Sequence, residues 1–429
     1  MIQEVKIKDI RVSGDDRGDF REVLKLSDNL TKKIAQVSIG TTHPGLIKAF
    51  HWHTSQDDVF YVLSGNIQLV LYDGRDNSKT KGETQVLRLG ESYKPQAVYI
   101  PRGVYHGYKI IGDKDARVLY IMNNEYNPSQ PDEQRVDFDD KKIGFDWRDK
   151  VLVIGAGGFL GKQLMKDLSK SFQVIGASYP EKGTGIYLDI TNRKQVKDVL
   201  EKEDPDIVIL TAAKTNVEEC ESDPKGTFKT NVSGVKNIVE NLSYQKLVFF
   251  STDSVFDGKK DRYKEDDLPH AINVYGQSKL EAEKVVSSYS NHLICRTSRL
   301  YGPKGNKFLN MLIETLQKGK KVDVPVDTPG NFSLLEDVSV ATAQLIEMGK
   351  KGIYHVAGKD INTFAQAAYK AADIFEFKKS LINKVDKDYF NTKVKRPNSP
   401  LNIEKLKSEG IKMGSLEDGL IKIKNNSSK

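Results

Sequence analysis

Tyr275 and Lys279 lie four residues apart in Tyr275-Gly276-Gln277-Ser278-Lys279, a spacing that puts a phenol and an ammonium on one face of a helix. A free tyrosine titrates at about 10; a neighbouring cation lowers that and makes the phenol a usable acid near neutral pH. Upstream, Phe250-Ser251-Thr252-Asp253 closes an apolar run, and Thr252 can hydrogen-bond a carbonyl oxygen there. Earlier still, Gly155-Ala156-Gly157-Gly158-Phe159-Leu160-Gly161 follows the apolar run Val151-Leu152-Val153-Ile154. Gly155 permits a tight turn, Gly158 lets backbone approach a diphosphate at a helix N-terminus, and Gly161 lets helix and strand pack closely. In this chain order the three elements predict a dinucleotide-binding centre with a positioned acid. A second set lies nearer the N-terminus. His51 and His53 flank Trp52 on a predicted strand, so both imidazoles face one way. With Asp58 and His106 they offer three imidazoles and one carboxylate, a donor set suited to a divalent transition metal. Metal-free acid–base chemistry and a merely polar interior remain open for the same four residues.

Two kinds of element must position these groups. Residues 1–147 read as short strands such as Asp58 to Leu63 and Ile67 to Tyr72, separated by turns like Ser64-Gly65-Asn66. That pattern predicts an antiparallel sandwich or barrel. From Lys150 onward continuous apolar runs alternate with helical patterns, at 151–154, 173–177, 207–210 and 246–250. Such runs fit parallel strands buried on both faces, hence a doubly wound α/β sheet over 150–429. The tail 424–429 is expected to fray.

The chain has 429 residues, 38% hydrophobic and 29% charged, which fits folded rather than disordered protein. Its net charge of +7 is spread as scattered pairs. The expectation is an anionic small molecule as partner, with no nucleic acid and no membrane. Two cysteines, Cys220 and Cys295, exclude a disulfide framework and fit a reducing cytoplasm, as does an N-terminus without an apolar leader. The second strand of the α/β half ends in Ser178-Tyr179, with neither the carboxylate that would hold an NAD ribose nor an arginine. Ser178 tolerates a 2′-phosphate and Lys182 can reach one, so NADPH is preferred over NADH. Asp189 can accept a hydrogen bond from an adenine amine.

Residues 150–425 resemble the extended short-chain dehydrogenases, specifically the dTDP-4-dehydrorhamnose reductase family. The carrying segments are Gly155 to Gly161, Thr211-Ala212-Ala213-Lys214-Thr215-Asn216-Val217, Glu221 to Pro224, Ser251 to Gly258, Asn273 to Lys279, Arg296-Thr297-Ser298 with Tyr301-Gly302-Pro303, and Lys395-Arg396-Pro397. The resemblance implies a Rossmann-type sheet with a small C-terminal substrate lobe. It implies Thr252, Tyr275 and Lys279 as the catalytic set. Cofactor contacts would fall on Phe159, Leu160, Asp189, Ile190, Ala212, Ala213, Tyr275 and Lys279, and substrate contacts on Arg296 and Arg396.

Residues 1–147 are similar to the dTDP-4-dehydrorhamnose 3,5-epimerase family of cupins, and a jelly-roll fold follows from that likeness. The matching segments include Asp16-Arg17-Gly18, Ile47 to Trp52, Ile100 to Gly103 with His106-Gly107, Leu119-Tyr120 with Tyr126-Asn127-Pro128, and Phe138-Asp139-Asp140 through Trp147. The resemblance implies His51 as base, Asp140 as its partner, Tyr120 as acid and Tyr126 as a second site tyrosine. Lys48 takes the place of a phosphate-reading arginine, and Asp58 the place of a lysine. The two resemblances together imply a bifunctional dTDP-sugar enzyme, a homodimer or higher homo-oligomer, ending at dTDP-L-rhamnose or a related 6-deoxyhexose. A 3,4-ketoisomerase or substrate-binding cupin, and a non-catalytic NADP-binding regulatory subunit, are the alternative readings.

Overall fold

The computed structural model describes residues 1–179, 185–303, 308–390 and 394–427. The chain divides into two compact units, Met1–Arg148 and Asp149–Lys429. No described helix is long and apolar enough to cross a membrane.

The first unit holds two five-stranded antiparallel sheets. One runs in the order Lys6–Asp9, Gln96–Ile100, Asp58–Ser64, Ala116–Met122, Gln36–Thr42; the other runs Glu133–Arg135, Ile47–His53, Val104–Ile111, Asn66–Asp73, Thr84–Gly90. Phe60, Val62, Val98 and Val118 of the first sheet share one buried core with Leu69, Leu71, Val104 and Tyr108 of the second. The two sheets therefore pack face to face through their side chains, as in a jelly-roll sandwich. The turn at Gly65 needs glycine: its φ is +71°, and a Cβ there would lie 2.3 Å from the Asp115 carbonyl oxygen.

The second unit is built on a seven-stranded sheet in the order Ile186–Tyr187, Gln173–Ser178, Lys150–Ile154, Ile207–Leu210, Lys246–Thr252, His292–Thr297, Gly352–His355. Every pairing in it is parallel. Val151 and Val153 enter one core and Leu152 and Ile154 the other, so helices cover both faces. That explains the unbroken apolar runs in the sequence. A third core joins helices Phe308–Gln317, Phe364–Phe375 and Leu416–Ser427 into a lobe beside the sheet. The last of these helices takes in most of the segment expected to fray, because Leu416, Leu420 and Ile423 are buried in that lobe.

Candidate functional site

In the second unit, the glycine loop joins strand Lys150–Ile154 to helix Phe159–Leu168, with Gly158 as the N-cap. Gly155 has φ +96°, and a Cβ there would lie 2.4 Å from Thr211 Oγ1 and 2.6 Å from the Ala212 nitrogen. A Cβ on Gly161 would lie 2.1 Å from the Gly155 carbonyl oxygen. The bare loop thus opens the helix N-terminus to a diphosphate. Gly158, Phe159, Leu160, Gly161 and Ala213 line a cavity of about 480 Å³ together with Thr252, Tyr275 and Lys279. Asp189 and Ile190 stand outside that lining: Asp189 Oδ1 accepts from the Thr191 nitrogen at 2.9 Å, and Ile190 is buried against Gly234. The Ala212 nitrogen donates to the Ile154 carbonyl at 3.1 Å. Ser178 is buried at the end of its strand, and Lys182 lies outside the described residues.

Helix Val274–Ser287 starts at Asn273, whose side chain accepts from the Gly276 nitrogen at 2.8 Å and donates to the Lys395 carbonyl at 2.9 Å. This cap presents Tyr275 to Thr252, which hydrogen-bonds the phenol. Lys279 does not lower the phenol as the spacing predicted. Burial pushes Tyr275 up, the Asp253 charge adds to that, and the Thr252 hydrogen bond opposes it. The Lys279 ammonium turns instead to the Phe250 carbonyl at 2.7 Å and sits over the Phe249 ring at 3.9 Å. Burial pulls its own pKa down to about 7. Desolvation decides both values, which helix spacing alone cannot report.

Arg296 is a second correction. It is 2% exposed and forked onto Glu283 at 3.0 and 2.7 Å, with Phe256 against its guanidinium, so it holds the core rather than a substrate. Arg299 lines the cavity wall instead. Its φ is +39°, it donates to the Asn362 and Pro329 carbonyls at 3.2 and 2.9 Å, and Phe332 and Phe364 flank it. Asp253 and Ser298 line the same cavity and are bonded to each other at 2.5 Å. Sequence reasoning missed all three. Their one signal was position just past the C-terminal ends of parallel strands, where such sheets bind ligands. Arg396 does reach the cavity and is held on Glu218 at 2.6 Å.

In the first unit, His51, His53, Asp58, Tyr108 and Tyr120 line a cavity of about 830 Å³. His51 and His106 are cross-strand neighbours with ring centroids 4.0 Å apart. The four donor groups of His51, His53, Asp58 and His106 lie within 4.8 Å of one another. Asp58 Oδ2 is 3.2 Å from His53 Nε2 and 3.3 Å from His106 Nε2. His53 Nδ1 and His106 Nδ1 lie against the Asp132 and Val104 carbonyls at 2.8 and 3.0 Å, an arrangement in which each carries its proton there and leaves Nε2 for the cluster. His106 Nε2 is buried without a hydrogen-bond partner. This donor set fits a divalent transition ion.

Burial holds His51 well below its ordinary pKa, and the neighbouring imidazoles add to the effect. Burial also opposes the charge on Asp58, but the adjoining His106 and His53 imidazoles outweigh it and keep its pKa low. Tyr120 is pushed up by burial and by Tyr108, whose hydroxyl is 2.7 Å away. Lys48 and Tyr126 border the cavity, Lys48 reaching the Thr41 carbonyl at 3.4 Å and Tyr126 being 56% exposed. Asp140 is not the partner of His51. Its Oδ1 accepts from the Lys142 and Ile143 nitrogens at 2.9 and 3.3 Å, closing its own turn. The carboxylate among the imidazoles is Asp58.

Residues 149–427 match the RmlD substrate binding domain family, and residues 1–163 match the dTDP-4-dehydrorhamnose 3,5-epimerase family. The spore coat polysaccharide biosynthesis protein SpsL of Bacillus subtilis is 46% identical over 147 residues, covering 34% of this chain and 97% of SpsL. The dTDP-4-dehydrorhamnose reductase of Aggregatibacter actinomycetemcomitans is 31% identical over 275 residues, covering 60% of this chain and 92% of that enzyme. The chain belongs to both families. Among solved structures, the Bacillus anthracis dTDP-4-dehydrorhamnose reductase in complex with NADP superposes on the reductase unit with a TM-score of 0.61 at 30% identity, covering 65% of this chain and 99% of that one.

Proposed function

We propose that this chain is a bifunctional nucleotide-sugar enzyme. The epimerase unit inverts C3 and C5 of dTDP-4-keto-6-deoxyglucose, and the reductase unit reduces the 4-ketone with NADPH to dTDP-L-rhamnose or a related dTDP-6-deoxyhexose. The convergence of Thr252 and Tyr275 beside a bare glycine loop in one cavity carries this reading.

The 4-keto group acidifies the protons on C3 and C5. His51, kept neutral by burial, takes such a proton, and the Asp58 charge favours the imidazolium that forms. Tyr120, kept protonated by burial, returns one to carbon. The residues His51, His53, Asp58 and His106 would hold a divalent ion if one is resident, and it would supply Lewis-acid polarisation of a carbonyl. In the reductase unit the Gly155–Gly161 turn holds the diphosphate of NADPH, which supplies a hydride when bound. Tyr275 gives its proton to the ketone oxygen, Thr252 orients the phenol, and Arg396 draws the substrate's anionic group to the cavity. Lys279 braces the strand end under the site through the Phe250 carbonyl.

Strand Gln36–Thr42, at the edge of its sheet with Val37 and Ile39 56% and 54% exposed, supports a homo-oligomer. The two free cysteines support a cytoplasmic setting. The test is incubation with dTDP-4-keto-6-deoxyglucose and NADPH in D₂O, with the sugar identified by NMR. An L-rhamno product labelled at C3 and C5 is expected. Reduction without label rejects the epimerase half, and label without NADPH oxidation rejects the reductase half.

A further inference from the structure

Arg299 stands just past strand His292–Thr297 with φ +39°, a left-handed conformation that a non-glycine residue keeps only where its surroundings enforce it. Those surroundings are built for the guanidinium. A Cβ on Gly330 would lie 2.5 Å from Arg299 Cζ and Nε, so only glycine leaves it room. Phe332 and Phe364 flank it at 5.2 and 4.3 Å. Nη1 and Nη2 donate to the Asn362 and Pro329 carbonyls at 3.2 and 2.9 Å. Two carbonyls need donors but no positive charge, and they use two of the five N–H groups of an arginine. Among the described residues no carboxylate forms an ion pair with Arg299: Asp253, which attracts it through space, is bonded instead to Ser298 and Thr252. A cation is thus fixed on the cavity wall with N–H donors left over.

The hydrogen bonds also say which end of the cavity it occupies. Thr252 Oγ1 donates to Asp253 Oδ1 at 2.9 Å, and Ser298 Oγ donates to Asp253 Oδ2 at 2.5 Å. Arg299 follows Ser298 directly, so it stands at the end where Thr252 and Tyr275 await the ketone, whereas Arg396 is exposed and paired with Glu218.

We propose that Arg299 reads the C3 hydroxyl of the ketosugar and makes the reductase unit selective for the epimerised substrate. This inference rests on the reductase reading. The ketosugars before and after epimerisation carry the same 4-ketone, so hydride addition alone does not tell them apart. They differ at C3, which bears a hydroxyl, and at C5, which bears a methyl group. Only the hydroxyl can accept from a guanidinium. With the ketone oxygen at Tyr275, the C3 oxygen of one epimer reaches Arg299 and that of the other lies on the opposite face of the ring. The wrong epimer leaves the N–H groups unpaired, and a site built to hydrogen-bond a hydroxyl discriminates strongly against a ligand that cannot supply it.

The test compares kcat/KM for NADPH oxidation with dTDP-4-dehydrorhamnose and with dTDP-4-keto-6-deoxyglucose. It uses the full chain carrying His51→Ala to stop interconversion, and NMR reports the C3 configuration of each product. With Arg299 intact, dTDP-4-dehydrorhamnose should be preferred by about tenfold or more. Arg299→Met should cut kcat/KM for that sugar about 10–10²-fold and change the value for the other less than about threefold. Gly330→Ala, which crowds the guanidinium off its seat and keeps its charge, should move the ratio the same way. Equal loss with both sugars makes Arg299 a pin for the lobe and overturns the proposal, as does an unchanged ratio or the lack of a preference with Arg299 intact. Should Arg299→Met fail to fold, Gly330→Ala decides by the same ratio. Failure of the reductase reading itself shows differently, as protein with Arg299 intact that oxidises NADPH with neither sugar.

Discussion

Tyr120 and Tyr275 are both phenols lifted by burial, yet the two units hold them by different means. Tyr275 stands on the first turn of one capped helix, and Thr252 ends the neighbouring strand. Tyr120 stands mid-strand in one sheet, bonded to Tyr108 of the other, while His51, His106 and Asp58 arrive from three further strand positions. The reductase acid and its threonine thus come from one helix turn and one strand end. The epimerase centre exists only once two sheets have closed on each other. The first arrangement can be damaged one role at a time, whereas in the second each polar group is also a neighbour that sets another's charge.

The largest effects should separate the two centres. Tyr275→Phe should cut NADPH oxidation about 10²–10⁴-fold, leaving NADPH binding by fluorescence and deuterium exchange into the ketosugar unchanged. His51→Ala should cut deuterium entry at C3 and C5 by a similar factor, with full reductase activity on sugar already epimerised. Exchange retained by His51→Ala rejects it as base, and cross-effects between the variants would erase the distinction drawn above.

Next come effects on stability. Arg296→Met strands the buried Glu283 carboxylate and should cost about 3–5 kcal/mol, read as an earlier urea transition of the reductase unit. The double change Arg296→Met with Glu283→Leu should recover most of it. Arg396→Ala should instead raise KM for the sugar nucleotide about tenfold to hundredfold at constant kcat. Its stability should move by no more than about 1 kcal/mol, since the pair with Glu218 is exposed. An unchanged KM would remove Arg396 from the substrate's path.

The smallest effect is a pH profile. His51 acts as base only when neutral, and burial places its pKa well below 6.5. Deuterium exchange should therefore stay flat as pH falls from 8 through 6.5 (about the free-histidine value) and drop only at lower pH. A half-loss near 6.5 would mean that the imidazole is hydrated rather than buried. Exchange is also expected to survive a chelator; loss restored by a divalent ion would make the imidazoles ligands.

What could be read from residues alone was whatever depends on near neighbours in the chain. The glycine turn, the two-sided apolar runs of a parallel sheet and the facing of His51 and His53 follow from periods of two and 3.6 and from missing Cβ atoms. The likeness to the two families came from the same short segments. Tertiary structure decided which charges meet. Asp140 and Asp58 are equivalent as residue types, but one closes its own turn and the other is drawn between two imidazoles by strand register. Arg296 and Arg299 are three residues apart, and one is sealed against Glu283 while a left-handed backbone turns the other onto the cavity wall. Lys279 has the predicted spacing, yet desolvation and the Phe250 carbonyl set its charge and direction. Burial and cross-strand register are properties of distant segments brought together, so no window of sequence contains them.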